Sequence, residues 1–156
     1  MAIRNIVKVG DDVLTKKCRV VERFDDRLRE LIDDLFETLY SVGGAGLAAP
    51  QVGVLRRVAV VDIGDGPFEL VNPEIIAEEG EQTGTEGCLS YPGKFGIVTR
   101  PNKVTIKAQD RNGEWHEYKG EGLLARAFCH ESEHLDGIMF MDKVTEWLET
   151  EDDEEE

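Results

Sequence analysis

The stretch His130-Glu131-Ser132-Glu133-His134 is the most informative part of this 156-residue sequence, because it has the form H-E-x-x-H. Residues four apart in a helix project from the same face, so the two imidazoles can reach one metal ion. Glu131 lies about 100° around the helix from His130, which is close enough to hold a metal-bound water without binding the metal itself. The stretch therefore predicts two metal ligands and a general base.

A simpler interpretation of the same residues is also open. Short patterns of this kind arise by chance, and a histidine on an apolar helix face can be a core residue that bonds to the backbone. Two of the three histidines of the chain lie in this motif. Burying two titratable rings side by side is costly without an ion or another partner, and this favours the metal site.

Two amphipathic helices are predicted, one near each end of the chain. The first has apolar residues at helical spacing from Leu28 to Leu39, with Asp25 or Asp26 to cap its start and Gly43 to end it. The second runs from about residue 122 to residue 135 and contains the H-E-x-x-H motif on an apolar stripe.

Short strand-like runs lie between the two helices, at residues 58–63, 68–72, 104–108 and 115–119. Glycine-containing turns separate them, so we expect antiparallel hairpins. Strands flanked by one helix near each end indicate a single α+β domain over residues 1–148. Residues 149–156 are almost entirely acidic and are expected to form a solvated, mobile tail.

Charge and hydropathy exclude several classes of function. The net charge of −15 opposes binding to the phosphates of nucleic acids. No apolar run approaches the roughly 20 residues of a membrane helix, and the first residues lack the features of a secretory signal. We therefore expect a cytoplasmic protein. Three cysteines without an export signal make disulfides improbable, and Cys18 and Cys129 are interpreted as structural.

A catalytic tetrahedral site needs a third protein ligand, and three kinds of candidate exist. Phe140 occupies the position of the third histidine used by one class of zinc proteases, which excludes that class. A downstream glutamate, Glu146 or Glu149, would define a zinc endopeptidase, although both lie beside or within the acidic tail. Cys88 offers a thiolate suited to iron(II) or zinc. The alternative interpretation of Cys88 is a buried cysteine beside a turn.

Three segments occur in a fixed order: GAGLAAPQ at 44–51, EGCLS at 86–90 and HESEHLDG at 130–137. In these segments, and over nearly its whole length, the sequence resembles the peptide deformylase family. The resemblance implies an α+β fold in which antiparallel strands pack around a central H-E-x-x-H helix, with an amphipathic helix near the N-terminus. It also implies hydrolytic removal of the N-formyl group from the formylmethionine of newly synthesised proteins, with release of formate.

The resemblance assigns roles to individual residues. It implies that one divalent metal ion, usually Fe²⁺ in the cell and with Zn²⁺, Ni²⁺ or Co²⁺ as possible occupants, is bound by Cys88, His130 and His134. Glu131 would act as catalytic acid and base. The side-chain amide of Gln51 and the backbone N–H of Leu89 would donate hydrogen bonds to the formyl oxygen, where negative charge develops.

The substrate site is also implied by the resemblance. N-formylmethionyl peptides and nascent chains would lie extended along Gly44, Ala45 and Gly46, bonded backbone to backbone, because the glycines at 44 and 46 keep side chains away from the substrate. The alternative interpretation of these glycines is an ordinary flexible loop. From their nearness to the motifs, the candidate walls of the methionine pocket are Ala45, Leu89, Leu123, Ala127 and His130.

Four residues depart from the commonest family pattern: Ala45, Cys129, Ser132 and Glu133. Ala45 could enlarge the substrate pocket. Glu133 could alter a hydrogen bond to a ligating histidine, and such bonds change metal affinity by roughly 10–100-fold.

Two other functions compete with this interpretation. One is the zinc endopeptidase, and the other is a catalytically silent metal-binding or interaction protein. Some family members approach the ribosome through a basic C-terminal helix. The acidic tail of this chain instead predicts no stable nucleic-acid binding by that route.

Overall fold

The computed structural model describes residues 2–148, and the predicted tail at 149–156 lies outside the described residues. In chain order the main elements are α1 Asp26–Val42, β1 Gly46–Ala48, β2 Val58–Val61, β3 Phe68–Glu79, β4 Gln82–Cys88, β5 Tyr91–Arg100, β6 Lys103–Gln109, β7 Trp115–Glu121, α2 Leu123–Leu135 and β8 Glu146–Trp147. Single turns of 3-10 helix occur at Asp12–Thr15, Ala49–Val52 and Phe140–Lys143.

The strands form two antiparallel sheets. The larger sheet has the order β1-β2-β3-β6-β7, and the smaller has the order β4-β5-β8. The predicted α+β class is therefore confirmed. Among the described residues, no helix has the length and apolar character needed to cross a membrane.

Capping residues at both ends of its sequence define where helix α1 begins and ends. The Asp25 side chain accepts a hydrogen bond from the Leu28 N–H at 3.1 Å, and this satisfies one of the free donors of the first turn. Gly43 ends the helix in the left-handed conformation, with φ of 69°, which glycine adopts without a steric penalty. The apolar face of α1 packs against Leu47 of β1 and Val60 of β2.

The strands predicted from alternation are present, and most extend beyond the predicted limits. The run at 68–72 continues as the twelve-residue strand β3. Strands β1, β4 and β5 lie outside the predicted runs. Each of them contains glycine and lacks regular apolar alternation, so their strand conformation depends on pairing, of β1 with β2 and of β4 with β5.

Helix α2 carries the H-E-x-x-H motif and packs against strands of the larger sheet. Phe128 is fully buried, and its ring packs against the Phe68 ring in a T-shaped arrangement with a centroid distance of 5.3 Å. This packing fixes the rotation of α2. The opposite side of the helix faces the β4–β5 hairpin, which ends in an irregular pairing at Gly87 and Cys88.

Candidate metal centre and active site

A cavity of about 420 Å³ opens between α2, the β4–β5 hairpin and the segment around β1. It is lined by residues 44–46, 51, 85–89, 91–95, 123, 126–127 and 130–131. All the predicted site residues except His134 line this cavity. The structure thus brings together three segments that are far apart in the sequence.

The side chains of Cys88, His130 and His134 converge beside the cavity. One potential ligand atom from each lies within 4.8 Å of the others, and the Cys88 Sγ is 3.4 Å from the His134 Nε2. The two imidazoles are one helical turn apart, with ring centroids 5.0 Å apart. Of the two endopeptidase candidates, Glu146 is exposed in β8 and is not a member of this group in the described part of the chain, and Glu149 lies outside the described residues.

Glu86 orients His130, a contact that sequence reasoning missed. The Nδ1 of His130 donates to the Glu86 Oε1 at 2.9 Å, which leaves the Nε2 free to bind an ion. Arg100 donates to both oxygens of Glu86, at 2.8 and 2.9 Å, and Arg126 donates to one of them. No local signal in the sequence indicated this contact, because β4 was not predicted as a strand and its pairing with β5 becomes irregular at Gly87 and Cys88.

The charges of this network are fixed by its contacts. Burial alone would raise the pKa of Glu86, but hydrogen bonds from Arg100 and His130 hold it well below its usual range. Burial is the main cause that holds the pKa of His134 well below its ordinary value, and the nearby His130 lowers this pKa further. His134 is therefore neutral, which is the form of imidazole that binds metal ions.

Replacing Glu86 with glutamine is expected to weaken metal binding by roughly 10–100-fold, because His130 loses a charged partner. We also expect a loss of about 3 kcal/mol of unfolding free energy, because Arg126 and Arg100 lose a buried counter-charge. Competition with a chelator and denaturant unfolding measure the two effects.

The matched control for Glu86→Gln is Glu69→Gln. Glu69 pairs with Arg111 at 3.0 Å in a partly exposed position. A surface pair contributes at most about 1 kcal/mol, so this variant should bind metal normally and lose little stability. Equal effects of the two variants on metal affinity would contradict the role of Glu86.

Glu131 is buried beside the cavity with one oxygen unsatisfied. Its Oε1 has no hydrogen-bond partner among residues 2–148. Burial raises the pKa of Glu131 to about 7, although the nearby His130 opposes this shift. A carboxyl group in such an environment can exchange a proton near neutral pH, as a general acid and base must.

Gln51 is held in place by its own amide oxygen. The Oε1 accepts a hydrogen bond from the Ala48 N–H at 2.9 Å, and the Nε2 points toward the Ser90 Oγ at 3.2 Å and the Cys88 Sγ at 3.5 Å. The N–H groups of the Gln51 amide are thus oriented toward the Cys88 side of the site. Ser90 is fully buried and was not identified as a contact from the sequence.

The residues that depart from the family pattern lie outside the donor group. Glu133 forms an ion pair with Arg100 at 2.7 Å, whereas the observed partner of a candidate ligand histidine is Glu86. No hydrogen bond joins Glu133 to His130 or His134 in the described part of the chain. No direct contact therefore supports the expectation that Glu133 alters a hydrogen bond to a ligating histidine. Cys129 is buried, consistent with a structural role.

The donor set fits a divalent metal ion. A thiol and two imidazoles are the ligands that zinc and iron(II) accept, and a catalytic site uses three protein ligands. Burial opposes a charge on His130, but Glu131, Cys88 and Glu86 outweigh it and raise the pKa of this ring to about 10. The surroundings therefore favour positive charge at this point, which a divalent ion would supply.

An α+β fold with a thiol, two histidines of an H-E-x-x-H helix and an adjacent buried glutamate defines a class of metal-dependent hydrolases. Within this class, the family model described as Polypeptide deformylase matches residues 3–149. The chain belongs to the peptide deformylase family.

Individual relatives are similar over almost their whole length. The chain is 58% identical to the peptide deformylase of Lachnoclostridium phytofermentans, over 92% of this chain and 90% of that one. It is 55% identical to the Caldicellulosiruptor bescii peptide deformylase, over 99% of this chain and 93% of that one. The crystal structure of the Thermotoga maritima peptide deformylase matches with a TM-score of 0.90 and 39% identity, over 93% of this chain and 99% of that one.

The activity follows from this membership. The protein is an enzyme that hydrolyses the N-formyl group from the N-terminal formylmethionine of newly synthesised proteins and releases formate. Peptide deformylases are metalloenzymes, and the Cys88, His130 and His134 group is one that could hold the metal.

Proposed function

We propose that Cys88, His130 and His134 together bind one divalent metal ion, which is Fe²⁺ in the cell, and that Zn²⁺, Ni²⁺ or Co²⁺ can replace it. The observation that carries this proposal is the convergence of the three donor atoms within 4.8 Å. When bound, the ion acts as a Lewis acid that polarises the formyl carbonyl and lowers the pKa of water.

Glu131 moves the proton in the proposed reaction. Its carboxylate accepts a proton from the attacking water and then donates it to the departing amine. Close packing of the Glu131 side chain against Gly46 supports this role, because it restricts the orientation of the carboxylate. Products are formate and a protein with a free methionine amine.

Gln51 and Leu89 stabilise the negative charge that develops on the formyl oxygen. The anchored Gln51 amide and the Leu89 backbone N–H are the proposed donors, and both residues line the cavity. Removing one such donor typically costs about 3 kcal/mol of transition-state stabilisation.

The substrate backbone pairs with the segment Gly44, Ala45 and Gly46 in this proposal. Extended peptides commonly add as a strand to a free sheet edge, and β1 is an edge strand of the larger sheet. The methionine side chain then occupies the cavity beside Leu123 and Ala127, which both line it. Ala45, Leu89 and His130 complete the proposed walls.

Gly46→Ala is expected to lower deformylase activity by about 10²-fold, since displacing a catalytic group by about 1 Å has an effect of this size. A Cβ at position 46 would lie only 2.7 Å from the Glu131 Oε2, so the carboxylate must move. Steady-state formate release together with metal content checks this, because the metal should be retained.

Gly44→Ala serves as the control for Gly46→Ala. The Cβ at position 44 would meet the ends of Leu89 and Leu39 at 3.0 and 3.1 Å, and not Glu131. We expect a smaller loss in this variant. Full activity of Gly46→Ala would show that Glu131 tolerates displacement and would weaken its proposed role.

The direct test of the function is formate release from a formyl-methionyl peptide by protein purified without oxygen and loaded with Fe²⁺. Anaerobic handling is needed because a thiolate that binds iron is open to oxidation. We expect formate from this peptide and no cleavage of an unformylated control. Stoichiometric metal without formate release would favour the catalytically silent alternative, and cleavage of the control would favour an endopeptidase.

The cellular setting is part of the proposal. We infer that the enzyme acts in the cytoplasm on nascent chains, as one catalytic domain of residues 1–148 in which the H-E-x-x-H helix is the central element. The seven acidic residues within 149–156 should prevent stable nucleic-acid binding by the tail. Cosedimentation with ribosomes that disappears when these residues are deleted would contradict this.

A further inference from the structure

Four of the ten arginines of this acidic chain have no carboxylate partner among residues 2–148, and all four lie at one groove. The four are Arg19, Arg23, Arg27 and Arg56. The other six each form an ion pair with a carboxylate: Arg4, Arg29, Arg57, Arg100, Arg111 and Arg126. In a chain with a net charge of −15, this concentration of unpaired guanidinium groups sets the groove apart from the rest of the surface.

Backbone hydrogen bonds hold the two walls of the groove together. The Arg19 N–H donates to the Leu55 carbonyl at 3.0 Å, and the Arg57 N–H donates to the Arg19 carbonyl at 2.9 Å. These bonds form a short parallel pairing between Arg19 and Arg56. The groove is therefore formed by the folded chain itself.

Asn72 fixes the neighbouring backbone at Val21. Its side-chain oxygen accepts from the Val21 N–H at 2.8 Å, and its amide donates to the Val21 carbonyl at 2.9 Å. Asn72 has a φ of 51°, a left-handed conformation that asparagine tolerates better than most residues. These contacts hold the backbone of this wall of the groove in one conformation, so the arginine side chains extend from a fixed backbone.

The groove is large and partly apolar. Its volume is about 690 Å³, and its lining includes Val54, Leu55 and Val20, of which Val20 is 63% exposed. None of its lining residues lines the active-site cavity. A ligand could therefore occupy the groove without blocking the reaction.

The lining favours carboxylates over a phosphate backbone. Guanidinium groups bind carboxylates through two parallel hydrogen bonds, and the apolar residues suit aliphatic side chains. Glu22 also lines the groove, where it would repel closely spaced phosphates, and the overall charge repels a long polyanion. Asp25 is already engaged as the cap of α1.

From these observations we infer that the arginine groove is a docking surface for an acidic peptide segment of a partner protein that also carries aliphatic side chains. The carboxylates pair with Arg19, Arg23, Arg27 and Arg56, and an aliphatic side chain packs on Val20 and its apolar neighbours. The surface is separate from the site of deformylation.

Fluorescence anisotropy of the full-length protein with a labelled peptide of alternating glutamate and leucine tests this inference. We expect saturable binding that the double variant Arg23→Glu with Arg56→Glu weakens by about tenfold or more, since placing like charges together across an interface is strongly unfavourable. Deformylase activity should be unchanged in this variant, which also shows that it is folded.

The matched control is Lys8→Glu with Lys119→Glu, which makes the same change in net charge at two exposed lysines outside the groove. This control should bind the peptide almost as tightly as the unmodified protein. If peptide binding is weakened equally in the two double variants, the change in net charge alone explains the effect, and the inference is overturned. Absence of saturable binding, or binding of an oligouridylate in preference to the peptide, would also overturn it.

Discussion

Replacing Cys88 with alanine is expected to abolish stable metal binding and, with it, formate release. Cys88 supplies the only sulfur of the three-donor group, and a catalytic metal site keeps only three protein ligands. Two imidazoles alone should hold the ion too weakly to survive gel filtration in the presence of a chelator. The metal content per chain is the measurement, with formate release as the second readout.

Cys129→Ala is the matched control for Cys88→Ala. Cys129 precedes His130 in α2 and is buried, and burial raises the pKa of its thiol to about 11, so it is not a thiolate at neutral pH. This variant should retain the ion. Retention of one metal ion by Cys88→Ala would mean that another residue completes the site. This result would favour the alternative of a zinc endopeptidase with a glutamate as third ligand.

Replacing Glu131 with glutamine is expected to lower the rate of formate release by about 10²–10⁴-fold, the usual contribution of a general acid and base. Glutamine has nearly the same shape but cannot accept the proton of the attacking water. Because Glu131 is not in the donor group, the metal content should stay at that of the unmodified protein. Formate release and metal analysis on the same preparation separate the two effects.

The comparison for Glu131→Gln is Glu133→Gln in the same helix. Glu133 pairs with Arg100 and Lys143 instead of facing the cavity. Its replacement should leave the reaction rate within a few-fold of normal. A Glu131→Gln enzyme with a near-normal rate would require another proton acceptor beside the metal.

Local sequence signals were sufficient for the helices. Helix α1 could be predicted with its ends because apolar spacing, the Asp25 cap and the terminating Gly43 all lie within one segment. The second helix was predicted within one residue at its start and at its observed end, Leu135. These features depend on neighbours in the sequence and so can be read without the fold.

Strands β4 and β5 could not be predicted in the same way. They contain glycines at positions 84, 87, 93 and 96, which weaken any strand preference. Their conformation comes from the antiparallel pairing between them, from Gln82 opposite Arg100 through Gly87 opposite Phe95. Such pairing is a property of the folded chain, and alternation of apolar residues does not report it.

The candidate site was predicted only in part from the chemistry of its residues. The H-E-x-x-H spacing indicated two ligands and a base, whereas Cys88 could be chosen over other third ligands only through the family resemblance. The network in which Arg100 and Arg126 surround Glu86 depends on three separate elements. The close approach of Gly46 to Glu131 likewise exists only once β1 lies beside α2.

X-ray absorption spectroscopy of the zinc-loaded, full-length protein tests the metal centre most directly, because it counts the atoms bound to the ion. The predicted spectrum has one sulfur at about 2.3 Å and two imidazole nitrogens at about 2.0–2.1 Å, with the remaining ligand from solvent. A first shell made only of nitrogen and oxygen would place the ion away from Cys88 and contradict the proposed centre.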